Sequence, residues 1–251
     1  MLNRRLAIVA ALGLAAITST QAWSLNFGRG ERISGSGEMA TENRDVGAFD
    51  GVSLSGSFKV LVRQGSGNKV ELKADRNLLP YIETRVVEGG KGRTLEIAPK
   101  RGVSFSSSTT PQLVLELPQL RTLAIAGSGD VKVETMKTPS VEASIAGSGN
   151  IQFIDLNSDS LSLKVSGSGD VTAAGRTGAL NVSVAGSGDV KARALEAGEV
   201  KVSIAGSGDA QVHASRTLKV SIAGSGDVGY VGSPEISSSV AGNGKVRRLG
   251  N

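Results

Sequence analysis

The stretch Leu218-Lys219-Val220-Ser221-Ile222-Ala223-Gly224-Ser225-Gly226-Asp227-Val228 decides the fold of this chain, because close copies of it recur through the C-terminal half. Seven copies of its Gly-x-Gly core follow one another at intervals of 18 to 20 residues. The paired glycines are Gly127 and Gly129, Gly147 and Gly149, Gly167 and Gly169, Gly186 and Gly188, Gly206 and Gly208, Gly224 and Gly226, and Gly242 and Gly244. Self-similarity at such a period is typical of a solenoid, in which each repeat stacks on the next.

Each repeat combines an alternating segment with a glycine corner. Leu218, Val220 and Ile222 alternate with polar residues, and this period of two indicates a strand with one buried face. Glycines on both sides of the central serine supply the positive φ angles that a sharp corner requires. The sequence therefore predicts a strand, a tight corner, a second strand and a second turn in every repeat.

Two all-β folds can use this unit, an antiparallel meander of hairpins and a parallel β-helix with one coil per repeat. Paired strands of a meander need not resemble each other, whereas every residue of a β-helix stacks on its own equivalent about 4.8 Å away. Because the equivalents are kept, we predict a single-stranded, right-handed parallel β-helix of about 18–20 residues per coil with Gly-Ser-Gly-Asp corners. One inward column is expected to contain Ile125, Ile145, Val165, Val184, Ile204, Ile222 and Val240.

The N-terminus has the pattern of a secretory signal peptide over residues 1–22. Arg4 and Arg5 precede an apolar run, and Thr20-Gln21-Ala22 is a cleavage site of the small-x-Ala type. We therefore expect an exported protein, which is periplasmic, associated with the outer membrane or extracellular. Once the signal is removed, no later segment reaches the roughly 18 apolar residues of a membrane helix.

The rest of the chain divides into a leader and one domain. Residues 23–46 are polar and glycine-rich, and they are expected to form a flexible leader. The β-helix is expected to span residues 47–251, with an irregular part at 47–119 and the regular repeats at 120–249.

Four short motifs follow one another in the irregular part. They are Phe49-x-x-Val52 before Gly56-Ser57, Ala74-Asp75-x-Asn77-Leu78, Leu95-Glu96-Ile97, and Leu115-x-Leu117-Pro118. Together with the Gly-Ser-Gly-Asp series, these motifs resemble the head GIN domain family of auto-transporter adhesins over residues 47 to 249. The resemblance implies a β-helical protein of the cell envelope, or a secreted one, with an adhesive role.

An acidic residue follows most corners, at Asp130, Asp170, Asp189, Asp209 and Asp227, with Asn150 in the second copy. If they stack, neighbouring carboxylates repel each other by about 1 kcal/mol in water. We interpret them as turn residues whose side chains hydrogen-bond nearby backbone N–H groups. The alternative is a calcium-binding edge, since calcium favours carboxylate and carbonyl oxygens.

Residues that commonly carry catalysis are scarce. The sequence has no cysteine and one histidine, His213, which excludes thiolate sites and multi-histidine metal sites. His213 lies in an alternating segment and is expected to point outward. Each Gly-Ser-Gly precedes a strand rather than a helix, which argues against a phosphate-binding loop. Aromatic residues make up only 3% of the chain, which argues against nucleic-acid binding by base stacking.

We therefore predict a non-enzymatic, adhesin-like protein of the cell envelope, without a cofactor. Its partner is expected to be a polymer or protein of the envelope or of the extracellular space. Two alternatives stay open, a polysaccharide-active β-helix enzyme and a periplasmic partner of an envelope sensor. A cleft with clustered Asp and Lys or Arg would favour the enzyme, and a flat, uniform face would favour binding.

Overall fold

The computed structural model describes residues 31–90 and 92–250, so the signal sequence predicted at 1–22 lies outside the described residues. Within them, the strands before the regular repeats are β1 (Glu31–Ser34), β2 (Met39–Arg44), β3 (Gly51–Ser55), β4 (Lys59–Gln64), β5 (Lys69–Asp75), β6 (Ile82–Gly89), β7 (Gly92–Pro99), β8 (Val103–Ser106) and β9 (Gln112–Leu117). The repeats contain β10 (Thr122–Gly127), β11 (Asp130–Lys137), β12 (Ser140–Gly147), β13 (Asn150–Gly167), β14 (Val171–Gly186), β15 (Val190–Gly206), β16 (Ala210–Gly224), β17 (Val228–Val231), β18 (Glu235–Gly242) and β19 (Val246–Arg248). A single 3-10 turn, Leu79–Tyr81, is the helical element of this part of the chain. In the same residues, no helix is long and apolar enough to cross a membrane.

The repeats stack as parallel coils, as their period predicts. β12 pairs in parallel with β10 and β13, and parallel pairing continues through β14, β15, β16 and β18. The predicted column is confirmed, since its members pair in order from Ile125 opposite Ile145 to Ile222 opposite Val240. Six of them are at most 2% exposed, whereas Val240 in the last coil is 41% exposed. The fold is therefore an all-β parallel β-helix with an aliphatic interior, and its right hand stays a prediction.

The order of the coils in space differs from their order in the chain. β3 lies between β7 and β10, and β4 lies between β9 and β11, with all four pairings parallel. The coil built from β7 and β9 is therefore the outer one, although the chain makes the coil of β3 and β4 first. Two antiparallel additions extend this end, because β6 pairs with β7, and β5 pairs with both β9 and β2.

Residues 31–44 correct the prediction of a flexible leader. β1 pairs in parallel with β8, and β2 pairs with β5 over six residues. The turn between them is held by Asp75, which is 2% exposed and accepts the N–H of Gly37 at 3.1 Å. Asn77 accepts the N–H of Ser36 at 2.9 Å. This segment is thus hydrogen-bonded to the Ala74-Asp75-x-Asn77-Leu78 motif, which lies about forty residues away in sequence.

Candidate functional site

Every corner needs its two glycines for different reasons. The first glycine of each pair has a positive φ, from 120° at Gly127 to 136° at Gly224, which side chains rarely tolerate. The second glycine lies outside that backbone region, but a Cβ on Gly169 would meet the carbonyl oxygen of Gly149 at 2.2 Å. The prediction of positive φ at both positions is therefore wrong for the second, where the close approach of two coils excludes a side chain.

The aspartate edge consists of Asp130, Asn150, Asp170, Asp189, Asp209 and Asp227, one at each of the first six corners. From Asp170 onward, each carboxylate accepts the backbone N–H of the equivalent residue in the next coil, as Asp189 Oδ1 does from Asp209 N at 3.0 Å. Asn150 accepts in the same way and also donates its amide to Asp130 at 2.8 Å. The side chains of the edge therefore fasten neighbouring coils together, rather than closing their own corner.

Two cations lie beside this edge. Lys191 Nζ is 3.6 Å from a carboxylate oxygen of Asp170, and an Arg247 nitrogen is 3.9 Å from Asp227. Both pairs lie at the surface with exposed cations, so each contributes at most about 1 kcal/mol. Among residues 31–90 and 92–250, no group of three or more His, Asp or Glu side chains is placed to hold a metal ion. The side chains of the edge accept backbone N–H groups, as the turn interpretation requires, but those of the next coil rather than of their own corner. Calcium binding is left to the stability test in the Discussion.

His213 points outward, as its alternation predicts. It is half-buried between the buried residues Val212 and Ala214. The strand register places Glu196 and Val231 opposite it in the two neighbouring coils. A Ser-His-Asp arrangement is not assembled at this position.

The serine face is formed by the outward residues of the strand segments that end at the corners. Its central column contains Ser144, Lys164, Ser183, Ser203, Ser221 and Ser239. The column beside it contains Ala146, Ser166, Ala185, Ala205, Ala223 and Ala241. Side chains this small leave a flat, uniform face whose main charges in the later coils are Lys201 and Lys219.

A groove lies on the opposite side of the corners, across the strands that follow them. Its volume is about 630 Å³, which is within the range of typical ligand-binding clefts. Leu61 and Val114 are half-buried and form an apolar floor, and Lys59, Gln112, Lys132 and Gln152 surround it. These residues come from β4, β9, β11 and β13, which are adjacent in space.

The charges around the groove are unevenly neutralised. Glu134 is paired with Arg63 at 3.0 Å, and Asp130 accepts the amide of Asn150. Within the described part of the chain, Lys59 and Lys132 have no ion-pair partner. The groove therefore presents two lysine ammonium groups and two glutamine amides above an apolar floor.

Comparison with known proteins places this architecture in a family. The family model described as "Putative auto-transporter adhesin, head GIN domain" matches residues 48–234. The chain belongs to this family. No curated protein matches the chain.

Solved structures share the fold of this head GIN domain protein. A "Putative lipid binding protein" from Parabacteroides distasonis is 30% identical, with a TM-score of 0.72, and the match covers 88% of this chain and 100% of the other. A "putative adhesin" from Bacteroides fragilis is 23% identical, with a TM-score of 0.81 and coverage of 86% and 100%. Another from Parabacteroides merdae is 22% identical, with a TM-score of 0.69 and coverage of 87% and 99%. The last two comparisons bear on the fold and not on the ligand.

Sequence reasoning found the corners of the head GIN domain protein and the aspartate edge, but it missed the groove. The residues of the groove are ordinary outward positions of four strands, and the pairings that unite them join residues up to 71 positions apart, as Lys59 and Asp130 are. A local signal does exist in Leu61 and Val114, which are apolar at outward positions of their strands.

Proposed function

We propose that this protein is a non-enzymatic, exported binding protein of the bacterial cell envelope that holds an anionic polysaccharide in the groove. The observation that carries the proposal is the pair of ammonium groups, Lys59 and Lys132, which have no ion-pair partner among the described residues and flank an open apolar strip. An extended polymer fits a surface built from parallel strands, because equivalent side chains repeat about every 4.8 Å along it.

The chemistry of the lining matches a charged glycan in three respects. Gln112 and Gln152 offer both donors and acceptors to hydroxyl groups. Leu61 and Val114 can lie against the apolar face of a sugar ring. The lysines pair with carboxylate, sulfate or phosphate groups as point charges. Family membership supports an adhesive role in general terms.

Two other functions have less support from the structure. Binding of a lipid inside the coil would need internal space, whereas the inward columns near the groove, such as Val60, Leu113 and Val131, are at most 3% exposed and closely packed. A polysaccharide-active enzyme would need a pair of carboxylates at the groove. The two acidic groups there, Asp130 and Glu134, already have partners.

Binding of the full chain to alginate, an acidic glycan, compared with dextran, a neutral one, tests the proposal by calorimetry. Lys59→Gln combined with Lys132→Gln should weaken alginate binding at least tenfold, while dextran should not bind. Lys201→Gln combined with Lys219→Gln is the matched control on the serine face, since it removes the same net charge. Equal losses in the two double variants would show that net charge attracts the polymer, and absence of alginate binding to the unaltered chain would refute the proposal.

The length of the polymer decides between binding and catalysis. We expect the size distribution of alginate to stay unchanged after prolonged incubation with the protein. Shortened chains or new reducing ends would establish the alternative of a polysaccharide-active enzyme.

A further inference from the structure

The two ends of the stack of coils are built differently. At the N-terminal end, the turn at 79–81 and the hairpin β6–β7 cover the interior, and Leu78 and Ile82 are at most 1% exposed. At the C-terminal end, all eight residues of β18 are exposed. Ile236 and Val240 occupy inward columns but are each 41% exposed, because no further coil lies over them among the described residues.

The strand edges at these ends differ as well. β6 pairs with β7, and its exposed residues include Glu83, Arg85 and Glu88. Natural sheets use such charges on an edge strand to prevent pairing between molecules. β18 pairs with β16, and no strand of the described residues pairs with its other edge. Its sequence has a single charged residue, Glu235, and no proline, so that edge lacks most of the usual protection.

The sequence of β18 reads nearly the same in both directions about Ser238. Ser237 matches Ser239, and Ile236 matches Val240. An interface between two identical copies related by a two-fold axis requires such self-complementarity, because residue i of one copy meets residue j of the other and the reverse. Antiparallel strands centred on Ser238 place Ile236 of each copy opposite Val240 of its partner, and Ser238 opposite itself.

We propose that this protein forms a symmetric dimer, joined end to end through antiparallel pairing of β18 with β18 of a second copy. The pairing supplies about eight main-chain hydrogen bonds, if half of the backbone groups of each strand face the partner. It covers the exposed inward column at the end of both stacks. The result is one continuous sheet through both molecules.

The charges at this end agree with the symmetric arrangement. Glu235 begins β18, and Lys245 follows the corner that ends it. In the antiparallel pair the beginning of one strand lies beside the end of the other, so each Glu235 comes next to the corner that carries Lys245 of the second copy. No residue of β18 meets a residue of like charge in this register, since Glu235 is its one charged residue.

Cysteine cross-linking tests the register directly, because the chain has no cysteine of its own. Residues directly opposed in antiparallel strands have Cβ atoms about 4.5–5.5 Å apart, so a small adjustment brings two cysteines there within disulfide distance. Ser238 pairs with the inward residue Val220, so its side chain is covered in the dimer and a bulky reagent would not fit. Ser238→Cys should therefore form a disulfide-linked dimer on mild oxidation. Ser221→Cys, on the serine face of the preceding coil, is the control and should stay monomeric on a denaturing gel. Equal yields from both variants, or none from Ser238→Cys, would overturn the proposal.

The oligomeric state in solution supplies the second test. By light scattering after gel filtration, the full chain should have twice the monomer mass, and Val240→Lys should be a monomer with unchanged circular dichroism. Because Val240 is 41% exposed, a lysine there can reach water in the monomer but not opposite Ile236 of a second copy. Thr84→Lys on β6 is the matched control and should leave the dimer intact. Dissociation by Thr84→Lys would instead establish a head-to-tail assembly, and a monomeric full chain would refute the dimer.

Discussion

The corner glycine Gly167 provides the sharpest test of how the coils are held at their spacing. Its φ is 126°, and a Cβ there would meet the carbonyl oxygen of Gly147 at 2.3 Å. Alanine in such a backbone region costs about 1–3 kcal/mol in strain. Forcing a methyl group into a packed site costs about 1–3 kcal/mol more. We therefore expect Gly167→Ala to lower the free energy of unfolding by about 2–6 kcal/mol, which is a large part of the roughly 5–15 kcal/mol of a whole domain.

Three other glycines separate the two contributions. Gly169 has the clash without the positive φ, Gly102 has a φ of 78° with nothing within 4 Å, and Gly67 has neither. In urea unfolding followed by circular dichroism, Gly169→Ala should lose about 1–3 kcal/mol and Gly102→Ala about 1–2 kcal/mol. Gly67→Ala should stay within about 0.5 kcal/mol of the unaltered chain. If Gly167→Ala unfolded at the same urea concentration as Gly67→Ala, the argument from coil spacing would be refuted.

Three further predictions concern the edge, the core and the N-terminal segment. Asp189→Asn should change the free energy of unfolding by less than about 0.5 kcal/mol because an amide oxygen still accepts the N–H of the next coil, whereas Asp189→Ala should cost about 1–3 kcal/mol. Calcium should leave the melting temperatures of the unaltered chain and of Asp189→Asn unchanged. A rise of several degrees in the unaltered chain that Asp189→Asn abolishes would establish a metal edge. Ile204→Ala should cost about 2–5 kcal/mol in urea unfolding because the side chain is 1% exposed, while Ile154→Ala, at a side chain that is 40% exposed, should cost under about 1.5 kcal/mol. Equal losses would contradict the difference in burial. Asp75→Ala should let a protease cut at residues 35–37 much faster than in the unaltered chain, with cleavage elsewhere as the internal control, and an unchanged rate would show that Asp75 does not hold that turn.

The repeats show how much a period can establish without coordinates. Because residues 18 to 20 positions apart are alike, stacking each on its equivalent satisfies every strand at once, and this identified the parallel coil and the column from Ile125 to Val240. The corners also followed from the sequence, because glycine is the residue that adopts a positive φ without steric cost. The reason for the second glycine did not follow, because it depends on the distance between two coils rather than on the conformation of one.

The sequence by itself therefore determined the shape of a coil and the rule by which one coil stacks on another. Which coil stacks on which was decided by tertiary structure, because any coil with an apolar inner face offers the same backbone edge. That freedom placed the coil of β3 and β4 between the coil of β7 and β9 and the coil of β10 and β11, rather than at the end of the stack. The same pairings brought Lys59 and Lys132 together at the groove. Tertiary structure also placed residues 31–44 beside β5, where Asp75 and Asn77 accept hydrogen bonds from their backbone. Long-range pairing of this kind leaves no periodic trace, since each contact joins segments of different sequence.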